Sequence, residues 1–561
     1  MIFAKKNSYS VLIFITILLF TVTCKDNRNE NDVRTVFNYN EMAGISGLDP
    51  ASANNLEDIW AVNQLYNGLV QLNDSLQVVP CIAKSWVISD GGLTYTFVLR
   101  NDIYFHDNKC FKKEKGRRVT AKDFVASFNR LYDARVSSAV SLLTAIDRTE
   151  KTDYKGFLAT NDSTFIIYLK EPTSAFLSIL TMKYFSVIPA EALDFYGQDF
   201  RRNPVGTGPF KFKLWEEGST LIMLKNPNYW RKDEKGVQLP YLDAVQISFL
   251  TDKNMAFVTF LKKKIDFISG IDESSKEQIL DPYGNIRKDF ASQYKVEKIL
   301  YLNTEYIGFQ LDKTKYPDGS HPFLNKKVRQ AMSYAINRSE LVAYIRNNLG
   351  IPGTSGMTPY PLPSYNSKEV KGYDYDPEKA LALLKESGYP SGRGMPTIEL
   401  YTTADYREIS EFLQKAWSKI GLKVTIQVNQ ASTFREMVDN GRVKFFRGSW
   451  IGDYPDAENY MSLFYSKNLS PAGPNKTHFV NSDFDQLYDR AQLEHNLRKR
   501  YKMYQQMDQI VMNECPVIVL YYDEIIRLMQ NKVKGLDVNP MNSLNLERVD
   551  FVEPVTVKKE E

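Results

Sequence analysis

The sequence predicts an α/β protein built in more than one lobe. Three observations carry this. The chain has 561 residues, more than one ordinary core accommodates. Strand-like apolar runs alternate with amphipathic helical stretches along its whole length. TIELYTT (397–403) and KVTIQVNQ (423–430) flank a helical stretch over 407–420, which reads as a strand–helix–strand unit.

In chain order, TVFNYNEMAGIS (35–46) reads as a strand, closed by the turn Leu48–Asp49–Pro50. Leu56, Ile59, Trp60, Val62, Leu65 and Tyr66 have helical spacing, and Gly68 ends that run. LTYTFVLR (93–100) and TFIIYLK (164–170) read as strands. Between them VTAKDFVASFNRLYD (119–133) reads as a helix, with Thr120 as N-cap and Asp123 at the capping-box position. NPVGTGPF (203–210) is turn chemistry. No GK[ST] and no helix follows it, so it is not a phosphate loop. FKFKLW (210–215), TLIMLK (220–225) and VQISFL (245–250) are strands. KVRQAMSYAINRSELVAYI (327–345) reads as one amphipathic helix. DPEKALALLKESGY (376–389) reads as another, with Asp376 as N-cap, Pro377 at the first helical position and Gly388 past the end. A helix over about 480–513 precedes PVIVLYY (516–522), a buried strand.

Charge narrows the function classes. The formal net charge is +4, with basic residues scattered and matched by acids, which argues against a nucleic-acid groove. Aromatic residues make up 13% of the chain, enough to line both cores and a ligand groove. No G-x-S-x-G, H-E-x-x-H or P-loop occurs, so a secreted hydrolase is the weaker reading.

The N-terminus stands apart. Lys5 and Lys6 precede an almost wholly apolar run from Val11 to Val22, and Cys24 ends it. The run is short for a membrane span and fits a signal peptide over 1–23. Cys24 sits where bacterial lipoproteins carry their cleavage cysteine, although Thr21 and Thr23 depart from that motif. Lipidation there would hold the protein at a membrane, with 24–34 as a polar tether; the alternative is an ordinary signal peptide or an uncleaved anchor. In an exported protein Cys81 and Cys110, flanking one hairpin-like segment, either pair or stay free; Cys515 reads as a buried thiol. No CxxC or close Cys/His spacing occurs, and His106–Asp107 with Cys110 reads as a lysine-rich loop, so neither a metal nor a cofactor is expected.

These motifs, in order, resemble the bacterial family 5 extracellular solute-binding proteins, the oligopeptide- and dipeptide-binding group that serves ABC transporters. The resemblance rests on GLDPASANNLEDIWAVNQLYNGLV, PCIAKSWVISDGGLTYTFVLRNDIYFHD, VTAKDFVASFNRL, NPVGTGPF, KNPNYW, VRQAMSYAINR, DPEKALALLKESGY and RGSWIGDYPD, and covers about 36–540. The chain departs from the family in the insertion NKCFKKEKGRR (108–118), in Asn337 where Asp is usual, and in Ala457 where Pro is common.

The resemblance implies a two-lobed periplasmic-binding-protein-like fold of the hinged class II type. It implies one lobe from 35–67, 196–300 and 526–561, an additional domain from 68–195, a second lobe from 301–525, and hinge strands near 301–306 and 522–527. It implies a monomer that takes up peptides and hands them to ABC permease subunits, from the periplasm or the outer surface. In peptide-binding members the Asp of a W-x-x-D pattern receives the ligand α-ammonium; here that is Trp450–Ile451–Gly452–Asp453. Ser449 to Ile451 and Asn54, Asn55 and Leu56 match positions whose main chain pairs with the peptide. Arg447 either meets a C-terminal carboxylate or pairs with Asp456 or Glu458 at the surface. Tyr521 and Tyr522 either line the groove or enter the core. Within the same fold the ligand could instead be a nickel chelate, haem, glutathione or an oligosaccharide.

Overall fold

A computed structural model of the protein describes residues 35–552, apart from 43, 134, 137, 138, 150–154, 272, 317–320 and 495. The signal segment, Cys24 and the tether lie outside the described residues. Among the described residues no helix is long and apolar enough to cross a membrane.

The fold is two-lobed α/β around one eleven-stranded mixed sheet. Two long strands, Tyr294–Phe309 and Val517–Gln530, run antiparallel through its centre. At roughly 3.3 Å per residue the first spans about 50 Å, long enough to serve both lobes. On one side Phe267–Ser269, Val36–Asn40, Ala244–Ser248, Thr220–Lys225 and Phe210–Glu216 follow. On the other side lie Phe445–Ile451, Ile398–Thr403 and Val424–Asn429. The parallel pair Ile398–Thr403 and Val424–Asn429 is joined by the helix Arg407–Ser418, as the alternation of apolar runs predicts.

A separate four-stranded antiparallel sheet spans Ala83 to Tyr168. Its inward side chains Phe97 and Phe165, with Phe124 of the helix Ala121–Arg130, belong to the same buried cluster as Phe37, Tyr39 and Leu65 of the first lobe. The second lobe buries a cluster on each face of its sheet, one around Tyr460 and Met507 and one around Trp417 and Phe445.

Local signals hold where capping chemistry is explicit. Thr120 and Asp123 form a capping box, Asn55 Oδ1 accepts from Asp58 N at 2.8 Å, and Asp376 Oδ1 accepts from Lys379 N at 2.9 Å. Two long helices expected from periodicity are instead broken. The first is Lys326–Tyr334, then a new start capped by Asn337. Arg338 causes the break: its buried guanidinium donates to the carbonyls of Val519 at 2.6 Å, Tyr373 at 3.0 Å and Ser333 at 3.1 Å. The second is Ser482–Leu493 followed by Leu497–Glu514, restarted by the Asn496 cap.

The turn at 203–210 lies flat against the helix Leu56–Leu65. A Cβ on Gly206 would stand 2.0 Å from the Leu65 carbonyl oxygen, and one on Gly208 would stand 2.5 Å from that of Gln64. His106 clamps the turn, its Nε2 donating to Gly208 O at 3.0 Å while His106 N donates to Gly206 O at 2.8 Å. Burial holds the imidazole neutral and lowers its pKa to about 4.

Cys81, Cys110 and Cys515 are all free thiols. The Cys81–Cys110 pairing that the sequence leaves open is therefore not made. Cys81 is buried under the first lobe while Cys110 sits in the partly exposed inserted loop.

Two outcomes are expected. Gly206→Ala forces backbone apart and destabilises by about 1–3 kcal/mol in chemical denaturation. His106 takes up a proton in the unfolded chain below pH ~6.5 but resists it in the fold until about 4. Its share of stability, up to about 3 kcal/mol, is thus full above pH ~6.5 and lost as pH falls toward 4. Denaturation as a function of pH should show His106→Gln flattening that slope.

Candidate functional site

The second-lobe strand Phe445–Ile451 pairs along its length with Asn303–Phe309. On its other edge it meets Ile398–Thr403 only at Phe446. Ser449, Trp450 and Ile451 thus present a backbone edge with no strand partner among the described residues, and Ile451 is 50% exposed. Such an edge is suited to receive an extended chain.

Beyond Ile451 the chain turns at Gly452, whose N donates to Leu302 O at 2.7 Å. Leu302 lies inside the register break of the two long strands, between Leu300 opposite Glu524 and Thr304 opposite Tyr522. Its N donates to Pro540 O at 2.9 Å, and Tyr460 Oη donates to its carbonyl at 2.8 Å. Asp453 is thereby set beside the point where the lobes join.

Asn459 holds Asp453 in place. Its Oδ1 accepts from Trp450 Nε1 at 2.9 Å and from Asp453 N at 3.1 Å, and its Nδ2 donates to Asp453 Oδ2 at 3.3 Å. One buried amide thus sets both residues of the W-x-x-D pattern. Sequence reasoning missed it; the signal was the amide side chain six residues past the Asp on a short helix, Glu458–Met461. Desolvation by burial raises the Asp453 pKa, against the Asn459 hydrogen bond that lowers it, although the residue keeps a solvent-exposed side. Burial raises the Tyr301 hydroxyl pKa, and the negative charges of Asp523, Glu57 of the first lobe and Asp453 add to the rise.

Four other acids here are already paired, Glu305, Asp523, Asp456 and Glu458. Arg447 Nη2 donates to Glu305 Oε2 at 2.6 Å, with both side chains buried, and its guanidinium lies 3.1 Å from the Tyr406 ring centroid. Glu305 Oε1 also accepts from Asn303 Nδ2 at 3.0 Å and from Ser449 Oγ at 2.8 Å. Arg346 Nη2 donates to Asp523 Oδ1 at 2.6 Å. Arg447 therefore pairs with neither Asp456 nor Glu458: Asp456 takes Arg500 at 2.9 Å, and Glu458 takes the hydroxyls of Tyr454 and Tyr488. Asp453 has no such cation among the described residues.

Across from Asp453, Asn54 and Asn55 are exposed and Leu56 is partly buried at the start of the first-lobe helix. The Asn55 side chain is spent on its cap. Tyr521 and Tyr522 are core residues that leave no face to a groove. Tyr522 is fully buried with its hydroxyl on Gly356 O at 2.7 Å, and Tyr521 packs in the opposite cluster, its ring centroid 5.1 Å from the Arg346 guanidinium. The side-chain period of two puts the neighbours on opposite faces of the sheet, and both faces are covered. Among the described residues no group of three His, Cys, Asp or Glu could hold a metal.

A family model for bacterial extracellular solute-binding proteins, family 5, matches residues 77–471. The chain belongs to this family. Among its relatives are the dipeptide-binding protein of Escherichia coli, 27% identical with 87% of this chain and 89% of that protein covered, and heme-binding protein A of Haemophilus influenzae, 30% identical with 85% of each covered. In structure it is similar to the ABC transporter-associated periplasmic binding protein DppA from Helicobacter pylori in complex with peptide STSA. The TM-score is 0.75 and the identity 26%, with 92% of this chain and 98% of that chain covered. Family 5 members are transport proteins of the cell envelope, and the two-lobed fold is theirs.

If Arg447 chiefly neutralises Glu305, Arg447→Met strands a buried carboxylate and costs about 3–5 kcal/mol. The double variant Arg447→Met with Glu305→Gln should recover most of it. Urea denaturation of the single and double variants reads the difference; an unchanged single variant would mean that Arg447 is not tied into the fold.

Proposed function

We propose that the protein is an extracytoplasmic peptide-binding lipoprotein, anchored through Cys24, that closes as a monomer over a free-ended peptide and delivers it to an ABC permease. The observation that carries this reading is the contrast at the site. Glu305, Asp456 and Asp523 each have an arginine partner and Glu458 has two tyrosine hydroxyls, whereas Asp453 has only the Asn459 amide. A carboxylate held in a crowded groove without a cation is completed by an incoming ammonium. The free edge of Ser449–Ile451 supplies main-chain hydrogen bonds that ignore side-chain identity, and by the family resemblance Asn54–Leu56 supplies the like from the first lobe.

In this reading the ligand is gripped by its N-terminus. The Arg447 charge is already paired with Glu305, so in this reading it does not clamp a C-terminal carboxylate and peptide length is not set at that end. The relatives named for dipeptide, heme and glutathione supply the panel that tests the ligand class.

Calorimetry on the full-length chain in detergent should show binding of a free-ended oligopeptide pool. N-acetylation or Asp453→Asn should each weaken it at least tenfold. Binding of heme or glutathione in place of peptides, or equal binding of blocked and free peptides, would overturn the assignment.

The raised pKa adds a sign. A native carboxyl that holds its proton more tightly than the unfolded one costs stability above the unfolded pKa, and regains it as pH falls. Asp453→Asn should therefore raise the melting temperature of the ligand-free protein at neutral pH while it lowers affinity. Wild-type peptide affinity should fall as acid protonates Asp453, and the variant's should not.

A further inference from the structure

We propose that the loop carrying Asp453 is also the latch that holds the lobes shut, with Tyr454 and Arg500 as positioning residues that couple ligand capture to closure. The proposal rests on the reading of Asp453 as the ligand contact. The side chains that follow Asp453 do not all return to their own lobe. Ala457 and Tyr460 pack in the second-lobe core, but Tyr454 is buried in the cluster formed by the first lobe and the four-stranded sheet. Its hydroxyl donates to Glu458, whose other oxygen takes Tyr488 Oη from the helix Ser482–Leu493. The ring thus crosses to one lobe while its hydroxyl is held by the other.

Arg500 makes the polar half. On the second-lobe helix Leu497–Glu514, its Nη2 donates to Asp456 Oδ2 at 2.9 Å and its Nη1 to the Ser174 carbonyl at 3.2 Å. Ser174 belongs to the stretch that follows the four-stranded sheet. Two residues on, Phe176 meets Tyr95 of that sheet edge-on at 4.9 Å. Ser174 N and Oγ both donate to Gln492 Oε1 at 3.3 Å, and Ser174 Oγ lies 3.4 Å from Tyr504 Oη. Five polar contacts therefore converge where the two sides meet, and one of their members, Arg500, also holds the Asp453 loop through Asp456.

The coupling follows from the covalent geometry. Asp453 adjoins Tyr454 and stands three residues from Asp456, on a loop fixed at one end by Gly452 on Leu302 and at the other by Asn459. A ligand ammonium that fixes the Asp453 carboxylate fixes the loop that presents Tyr454 and Asp456 to the far side. Parting the lobes would wet the Tyr454 ring and leave Arg500 with Asp456 alone.

The test uses the full-length chain in detergent. Stopped-flow with a fluorescent free-N-terminus peptide separates association from dissociation, and amide hydrogen exchange reads closure without needing a ligand. Gln492→Ala removes the cross-contact acceptor and leaves the Asp453 loop intact; Tyr454→Ala, Tyr454→Phe and Arg500→Gln complete the set. In Gln492→Ala, Tyr454→Ala and Arg500→Gln, dissociation should rise at least tenfold while association changes less than threefold. Tyr454→Phe, which keeps the ring, should recover most of the loss. In Gln492→Ala, exchange should rise together at 174–182 and at 452–461, on both sides of the contact. Unchanged dissociation with unchanged exchange at both segments would overturn the latch, as would exchange that rises only beside each substitution. If wild type binds no peptide, the ligand assignment fails, and the paired exchange in Gln492→Ala still decides the latch.

Discussion

The antiparallel pairing of Tyr294–Phe309 with Val517–Gln530 is the constraint on which the molecule depends. Their ladder is interrupted between Leu300 and Thr304 and shifts register again between Glu305 and Tyr306. A break in the ladder leaves backbone groups that must find partners elsewhere. Leu302 finds them on Pro540, Gly452 and Tyr460. The same irregularity that lets the strands bend between lobes thus locks the Asp453 loop against the hinge. The Asp453 loop and the pivot share one set of hydrogen bonds, which in the proposed reading makes ligand contact and closure one event.

Around this point the charges are sorted. Buried ions are tolerated when each has a partner and its remaining hydrogen-bonding groups are served. Glu305 with Arg447, Asp523 with Arg346 and Asp456 with Arg500 meet the charge-pairing half of that rule, although each guanidinium keeps a buried Nε without a partner. Asp453 departs from it, stabilised by an amide that orients the carboxylate without neutralising it. A protein that neutralised Asp453 with a side chain of its own would be more stable and would have to give up that pair on binding. In the proposed reading, the missing cation is what the ligand supplies.

Much of the local structure was legible. Caps at Asn55, Thr120 and Asp376 lie where short polar side chains precede apolar periodicity, because capping needs only neighbours within three residues. Helix continuity was less legible. Arg338 ends a run whose periodicity continues past it, because the carbonyls it serves, Tyr373 and Val519, are 35 and 181 residues away. The position of Asp453 was readable from the W-x-x-D pattern. Its orientation was not, since Asn459 acts only once the loop has folded back onto it.

By itself the sequence determined the α/β class, the order of most strands and helices, and which stretch carries the W-x-x-D pattern that ends at Asp453. These follow from periodicity, caps and a motif, all of which act within a few residues. Only the tertiary structure decided which charges are taken. Arg447 looked equally suited to a ligand carboxylate or to Asp456, and its partner Glu305 comes from a strand 142 residues earlier in the chain. Tyr521 and Tyr522 looked fit for a groove and are buried because both faces of their strand are covered. Free thiols at Cys81 and Cys110, the Asn459 bracket and the contact of Arg500 with Ser174 belong to the same class. Pairing between distant groups depends on where folding brings them, and no local pattern encodes that distance.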